Sequence, residues 1–322
     1  MGDILPSRVI IVGAGIAGAM AFSYFSTYNP IIFAKDTGIK HDAVFRVRDP
    51  RVGMLLGVPL EKIMVTKEVL WQDRLWDKAS ITAMNMYSLK TNGRIASRSI
   101  SDLGVKERYL ISGAYSINAE RAVLKGIEAG SALVQNVHSG EEMAIPYDIC
   151  ISTIPLPVML DACHEEYDRN LFRYEPIFVT RCSIKERDCT VNQTIYVPEM
   201  EYHTYRMTLE KETLIFESVG GYPEKEEVMA LSKFFCVTPD AAVRSSQEFG
   251  KLLPHTADED DLRRMHIFDL TEKYGVYSLG RFATWKSIRT DDLLDDLDHI
   301  MSVMGVSKIR RKYENKLNGI HK

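Results

Sequence analysis

Cysteine is scarce in this chain of 322 residues: there are five, Cys150, Cys163, Cys182, Cys189 and Cys236, an odd number with no C-x-x-C pair. Such usage excludes a disulfide scaffold and dithiol redox catalysis, and it fits a reducing compartment where thiols serve as small apolar residues. Long hydrophobic runs are also missing. The longest, Val9 to Phe22, is too short to span a bilayer and is interrupted by glycine and alanine. It follows Asp3 and Arg8 as the core of a leader would, but no small-residue cleavage site comes after it, so a cytoplasmic protein with no membrane partner is expected. A large charge excess is lacking too: 40 Lys and Arg against 44 Asp and Glu give a net charge of −4, which is silent about nucleic acid. There are no repeats or low-complexity tracts, and no metal site is expected.

What remains is the composition of a globular protein, 45% hydrophobic and 26% charged, long enough for one large or two interlocked domains. Charge does vary locally. Residues 291–298 are acidic, whereas Lys308, Arg310, Arg311, Lys312, Lys316 and Lys322 make a basic tail that reads as a solvated extension or as a phosphate contact.

The amino-terminal apolar run carries the clearest signal. Val9-Ile10-Ile11-Val12 reads as a buried strand, Gly13-Ala14-Gly15-Ile16-Ala17-Gly18 follows, Ala19 to Phe22 reads as helix, and Pro30 to Phe33 as a second strand. This is G-x-G-x-x-G in the turn of a β-α-β unit. Gly13 permits the tight turn, Gly15 the approach of a pyrophosphate, and Gly18 close packing of helix on strand, while the helix N-terminus faces the anion. The carboxylate that usually ends the second strand and binds the ribose is displaced: Ala34 or Lys35 stands there and Asp36 comes slightly late. Alternation over Val44 to Arg48 puts Arg46 and Arg48 on one face of a strand, toward a phosphate or toward solvent, with Arg51 just beyond.

Further along, Met84 to Ile100 alternates around Asn92-Gly93, a hairpin signal, and Ser116 to Ala129 reads as a helix capped by Asn118. Tyr147 to Thr153 is another buried strand, broken by Pro155 and Pro157. Ile195 to Pro198, Tyr205 to Leu209 and Leu214 to Glu217 form a mainly antiparallel sheet. Its Tyr196, Tyr202, Tyr205 and Arg206 line a ligand cavity or simply pack the sheet; His203 reads as structural. Near the end, Val276 to Phe282 is a strand running into Gly280-Arg281. Trp285 follows, and Thr290-Asp291-Asp292 opens a helix whose buried stripe is Leu293, Leu294, Leu297, Ile300, Met301 and Met304.

Four blocks in this order resemble the flavoprotein superfamily of amine oxidases, protoporphyrinogen oxidase and, above all, UDP-galactopyranose mutase: Val9 to Gly18, Tyr147 to Pro157, Tyr196 to Arg206 and Gly280 to Ile300. The resemblance implies bound FAD in an α/β fold. A Rossmann-like, glutathione reductase-like FAD domain (1–65, 112–160 and 265–305) would carry an inserted, mainly antiparallel β substrate domain (66–111 and 161–264), with 306–322 as a basic tail. It implies that Gly13 to Gly18, Lys35, Asp36, Arg46, Gly280, Arg281, Asp291 and Asp292 bind the cofactor. Tyr205, Arg206 and Trp285 would meet the substrate. The tyrosines that follow Gly-Arg in the mutases are replaced here, by Trp285 and Ser287, and their His-Gly-Gly element is absent.

With no general base evident, flavin N5 does the chemistry. The expected function is an FAD-dependent, amine oxidase-like oxidoreductase that takes a hydride from a carbon beside an amine on a small or nucleotide-linked substrate. The alternatives are mutase-like isomerisation or transfer without net redox, a flavoenzyme acting on a modified nucleotide or DNA base, and a non-catalytic FAD-binding protein.

Overall fold

Two β-sheets organise the described residues, which are 8–36, 46–92, 98–111, 115 and 117–304 in the computed structural model. In chain order the elements begin with β1 (Val9–Val12), α1 (Ile16–Tyr24), β2 (Ile31–Ala34), β3 (Arg46–Val47), α2 (Arg51–Leu56), β4 (Leu60–Trp71), β5 (Arg74–Trp76), α3 (Ile81–Lys90) and α4 (Arg98–Ser101). Next come β6 (Gly104–Ile111), β7 (Glu120–Glu128), β8 (Ser131–Asn136), β9 (Glu142–Pro146), β10 (Ile149–Ser152), α5 (Leu156–Ala162) and β11 (Tyr174–Ile184). The chain continues through β12 (Asn192–Tyr196), β13 (Thr204–Glu210), β14 (Thr213–Ser218), α6 (Lys225–Ser232), β15 (Pro239–Leu252), α7 (Ala257–Tyr274) and β16 (Val276–Ser278). Residues 292–304 form a last helix, α8.

The first sheet has the order β16-β10-β1-β2-β7-β8-β9. Strands β16 through β7 run parallel, and β7, β8 and β9 form an antiparallel meander at one edge. All four residues of β1 and of β10 are buried, as the centre of a sheet covered on both faces requires. The pleat explains the division of labour. Val9 and Ile11 pack with Ala19, Met20 and Ala21 of α1 and Leu293, Leu297 and Ile300 of α8, whereas Ile10 and Val12 point the other way, toward Met159 and Leu160 of α5 and Leu270 of α7. The strand order reverses between β1 and β10, and the crevice at the carboxyl ends of such strands is where ligands sit in doubly wound sheets.

The second sheet runs β15-β11-β14-β13-β12-β4-β6-β3, with β5 added to β4; every pairing is antiparallel except β12 on β4. The architecture is therefore α/β, a Rossmann-like sheet with a mainly antiparallel sheet inserted in the chain. No helix among the described residues is long and apolar enough to cross a membrane.

Two local expectations are overturned. The helix over Ser116 to Ala129 is the strand β7: Phe33 and Ala34 of β2 pair with Glu120 and Arg121, and the sheet overrides the helical preference of Arg121 to Lys125. The hairpin over Met84 to Ile100 is replaced by α3, which starts where Ser80 Oγ accepts the Ala83 amide at 3.1 Å, and by α4; Gly93 lies outside the described residues. β3 and all of β4 pair within the second sheet, although Val47 of β3 and Val52 and Leu56 of α2 pack with Val9, Ile11 and α1 in the core of the first. Val44 and the basic stretch 308–322 lie outside the described residues.

Candidate functional site

The glycine turn is built from the end of β1 and the start of α1. Gly13 has φ +104, and a Cβ placed on it would lie 2.4 Å from Thr153 Oγ1, so only glycine fits. Thr153 Oγ1 donates toward the carbonyls of Val12 and Gly13, each at 3.0 Å, and the Gly13 amide donates to Phe33 O at 2.8 Å, tying the turn to both neighbouring strands. A Cβ on Gly18 would come within 1.9 Å of Gly13 O. Gly15 differs: a Cβ there would meet nothing within 4 Å. Gly15 is also the N-cap of α1, with no side-chain cap and no acidic residue in the first turn. Ala14 and Gly15 thus lead into the Ile16, Ala17 and Gly18 amides, which present the positive end of the helix to open space.

The carboxy-terminal block docks against this turn. Gly280 has φ +96, and a Cβ on it would stand 2.9 Å from Ala17 Cβ. Beside it, Arg281 donates from Nη2 to Ile288 O at 3.0 Å, bracing the loop that leads to α8. Asp292 Oδ2 accepts the Arg289 amide at 2.7 Å and so closes the first turn of α8 from within. Asp291 reaches across to the second sheet, where its Oδ1 accepts the amides of Arg48 at 2.8 Å and Asp49 at 3.0 Å. Lys35 and Asp36 lie exposed just beyond β2.

Between this loop and the second sheet lies a cavity of about 230 Å³. Six cations line it: Arg46 from β3, Arg48, Lys67 from β4, Arg108 from β6, Arg206 from β13 and Arg289 from the loop, together with Asp102, Asp291, Val65, Thr194, Tyr196 and Thr208. Two of these cations are locked in place. Arg46 donates to Glu210 Oε2 at 3.1 Å, Thr194 Oγ1 at 3.2 Å and Leu209 O at 3.3 Å. Arg206 grips Glu217 with Nε and Nη2. Burial alone would raise the Glu217 carboxyl above the usual carboxylate range, but the Arg206 charge outweighs burial and holds it below. Lys67 Nζ donates to Asp102 O at 2.5 Å and lies 5.6 Å from the centre of the Tyr196 ring; burial draws its ammonium down to about 8. A hydrogen bond from Lys106, aided by the surrounding cations, brings the Asp102 carboxyl down to about 2 although burial opposes it.

The expected site residues are thus sorted by the fold. Gly13 to Gly18, Gly280 and Arg281 come together at the crevice. Arg46 lines the cavity with Arg206, on the second sheet, and Asp291 joins that sheet to the loop before α8. Tyr205 does not line the cavity: it is buried with Tyr87, ring centres 6.3 Å apart, and its hydroxyl donates to Glu217 Oε1 at 3.3 Å. Trp285 also lies away from it, 5% exposed in the core below the first sheet and 5.4 Å from the Phe172 ring. His203 contacts Glu227 at the surface, at 3.3 Å. The cations Lys67, Arg108 and Arg289, and the carboxylates Asp102, Glu210 and Glu217, carry no local motif. Their one sequence trace is alternation, since Lys106-x-Arg108 and Arg206-x-Thr208 repeat the pattern of Arg46-x-Arg48.

No family model and no curated protein matches the chain by sequence. Solved structures do match its Rossmann-like fold. Reduced UDP-galactopyranose mutase superposes with a TM-score of 0.66 at 13% identity, over 94% of this chain and 95% of that one. An oxidoreductase from Methanosarcina mazei follows with a TM-score of 0.54 at 10% identity, over 92% and 100% of the two chains. A protein from Pyrococcus furiosus gives 0.50 at 12% identity, over 90% and 97%. The likeness to these proteins is one of fold, and it runs through both sheets.

Proposed function

We propose that this chain is an FAD-dependent flavoenzyme of the oxidoreductase class whose substrate is a small, nucleotide-linked dianion. The carrying observation is the cavity. Its six cations face Asp102 and Asp291, and counting the partners Glu210 and Glu217 still leaves two positive charges. A diphosphate diester carries the complementary two negative charges, whereas a protonated amine would be repelled. Amine specificity therefore gives way to a phosphate-bearing substrate.

FAD fits the residues of the crevice. The open face at Gly15 and the uncapped first turn of α1 would take the pyrophosphate, with Gly280 and Arg281 alongside. Bound there, the cofactor would supply hydride acceptance or a nucleophilic N5. The chain's own part is positional. Arg46 and Arg206 are fixed by their carboxylates and can orient an anion without searching rotamers. Arg48, Lys67, Arg108 and Arg289 supply charge, and Asp291 ties Arg48 to the loop before α8. The mutase-like, non-redox reading keeps its place, because a nucleotide-linked substrate suits both chemistries and the fold likeness to the mutase is extensive.

The test is a purified protein examined for flavin and then, under anaerobic conditions, for flavin bleaching by nucleotide sugars and by amines. Bound FAD reduced by a nucleotide-linked compound is expected. A folded protein that takes up no FAD overturns the cofactor, and reduction by cationic amines alone overturns the substrate class. Turnover of a nucleotide sugar by reduced protein without net redox would select the mutase-like chemistry.

A further inference from the structure

Three cations of the cavity share one counter-ion. Asp102 stands between α4 and β6, with its Oδ1 2.9 Å from Lys106 Nζ. Its Oδ2 faces Arg48 Nη2 at 3.3 Å, Lys67 Nζ at 3.5 Å and Arg108 Nη2 at 3.6 Å. A charge-assisted hydrogen bond is about 2.7–2.9 Å long, so the Lys106 contact is tight and the other three are slack. A single oxygen cannot saturate two guanidinium groups and an ammonium. Arg46 and Arg206 present the contrast, each held by a carboxylate of its own.

The two ends of Asp102 also differ in where they lie. Arg48, Lys67 and Arg108 line the cavity, whereas Lys106 does not. The backbone is fixed, because Lys67 Nζ donates to Asp102 O at 2.5 Å. The carboxylate can therefore leave the cations by side-chain rotation while keeping Lys106, with no movement of α4. We propose that Asp102 is an internal anion occupying the place of a ligand phosphate, so that its side chain must swing toward Lys106 before an anionic substrate is seated.

This proposal rests on the anionic-substrate reading above and adds a filter to it. A monoanion replacing Asp102 at the three cations gains no charge over the carboxylate it displaces. A diphosphate gains a second negative charge and reaches the locked Arg46 and Arg206 as well. Asp102 thus selects for ligand charge without touching the reacting part of the substrate.

Calorimetric titration of the full chain, with whatever flavin it carries, against inorganic pyrophosphate tests the idea. Asp102→Asn is expected to bind pyrophosphate tighter by on the order of tenfold, and Asp102→Ser to shift in the same direction. Glu210→Gln serves as the control, because it removes a nearby carboxylate engaged with Arg46 alone. Unchanged or weaker binding by both Asp102 variants overturns the proposal. Equal tightening by Glu210→Gln also overturns it, by reducing the effect to net charge. If neither wild type nor variants bind pyrophosphate, this proposal and the anionic-substrate reading fall together, while the flavin absorbance of the same preparations judges the cofactor separately.

Discussion

Gly18 lies so close to Gly13 that a methyl group on its Cα would stand 1.9 Å from the Gly13 carbonyl oxygen. The neighbour is backbone at the end of a fully buried strand and cannot yield cheaply. Gly18→Ala is therefore expected to cost about 1–3 kcal/mol or more and to abolish FAD uptake, because α1 must lift from β1. Gly15→Val should keep the melting transition near that of wild type and lose flavin all the same, since its side chain fills only the space reserved for the ligand. Thermal melts paired with flavin-to-protein absorbance ratios separate the two; equal melting temperatures would refute the packing role of Gly18.

In the ion pair of Arg206 and Glu217, Arg206 faces the cavity and Glu217 is buried behind it. Glu217→Gln strands a cation with a mostly buried side chain and is expected to destabilise the fold by about 3–5 kcal/mol, measured by urea unfolding at neutral pH. The folded-state carboxyl titrates below its unfolded value, so its contribution is present above the ordinary carboxylate range and is lost as pH falls through the folded value. Wild type should accordingly lose stability steeply on the acid side, below about pH 4, and the glutamine variant should show a shallower acid limb.

Lys90 provides another internal anchor. Its ammonium donates to Val197 O at 2.9 Å, Glu199 O at 2.6 Å and Thr204 O at 2.7 Å, pinning the connection between β12 and β13. Lys90→Met keeps the bulk and removes all three donors. A loss of at least about 2 kcal/mol is expected, with weaker pyrophosphate binding because Tyr196 and Arg206 flank the released segment. Chemical denaturation and the same calorimetric titration would check both effects.

Lys67 gives anion binding a pH limit within the working range. Burial lowers its ammonium to about 8, so the free protein loses this charge as pH rises through that value and must take up a proton to bind an anion. Pyrophosphate affinity relative to that of Lys67→Arg should therefore fall between about pH 7.5 and 9, the arginine staying charged throughout. Parallel curves for the two proteins would exclude Lys67 as the titrating group.

The glycine turn is far more legible in the sequence than the cavity is. Gly13, Gly15 and Gly18 lie within one turn of chain, and their geometry is dictated locally by the strand before and the helix after. The cavity is assembled from segments near residues 46, 67, 102, 108, 206 and 289, brought together by the strand order β13-β12-β4-β6-β3 and by Asp291 accepting the Arg48 and Asp49 amides. No spacing rule connects them. The misread strand β7 teaches the same lesson on a smaller scale: Arg121 to Lys125 favour a helix when alone, but the edge of β2 offers backbone partners that a helix would leave unused. Trp285 and Tyr205, expected at the substrate because they are large aromatics beside Arg281 and Arg206, are buried in core clusters and do not line the cavity.

Strand β16 completes the parallel sheet beside β10, Leu279 donates to Ser152 O at 2.8 Å, and Gly280 then seats against Ala17. The first and last described strands thus border one crevice, although the whole second sheet lies between them in the chain. A nascent chain displays the glycine turn early but cannot close it until Gly280 and α8 have emerged, after the whole second sheet. On the proposed FAD reading, flavin capture is therefore a late event in the life of each molecule. Chains interrupted within the second sheet should accumulate colourless, whatever the supply of cofactor.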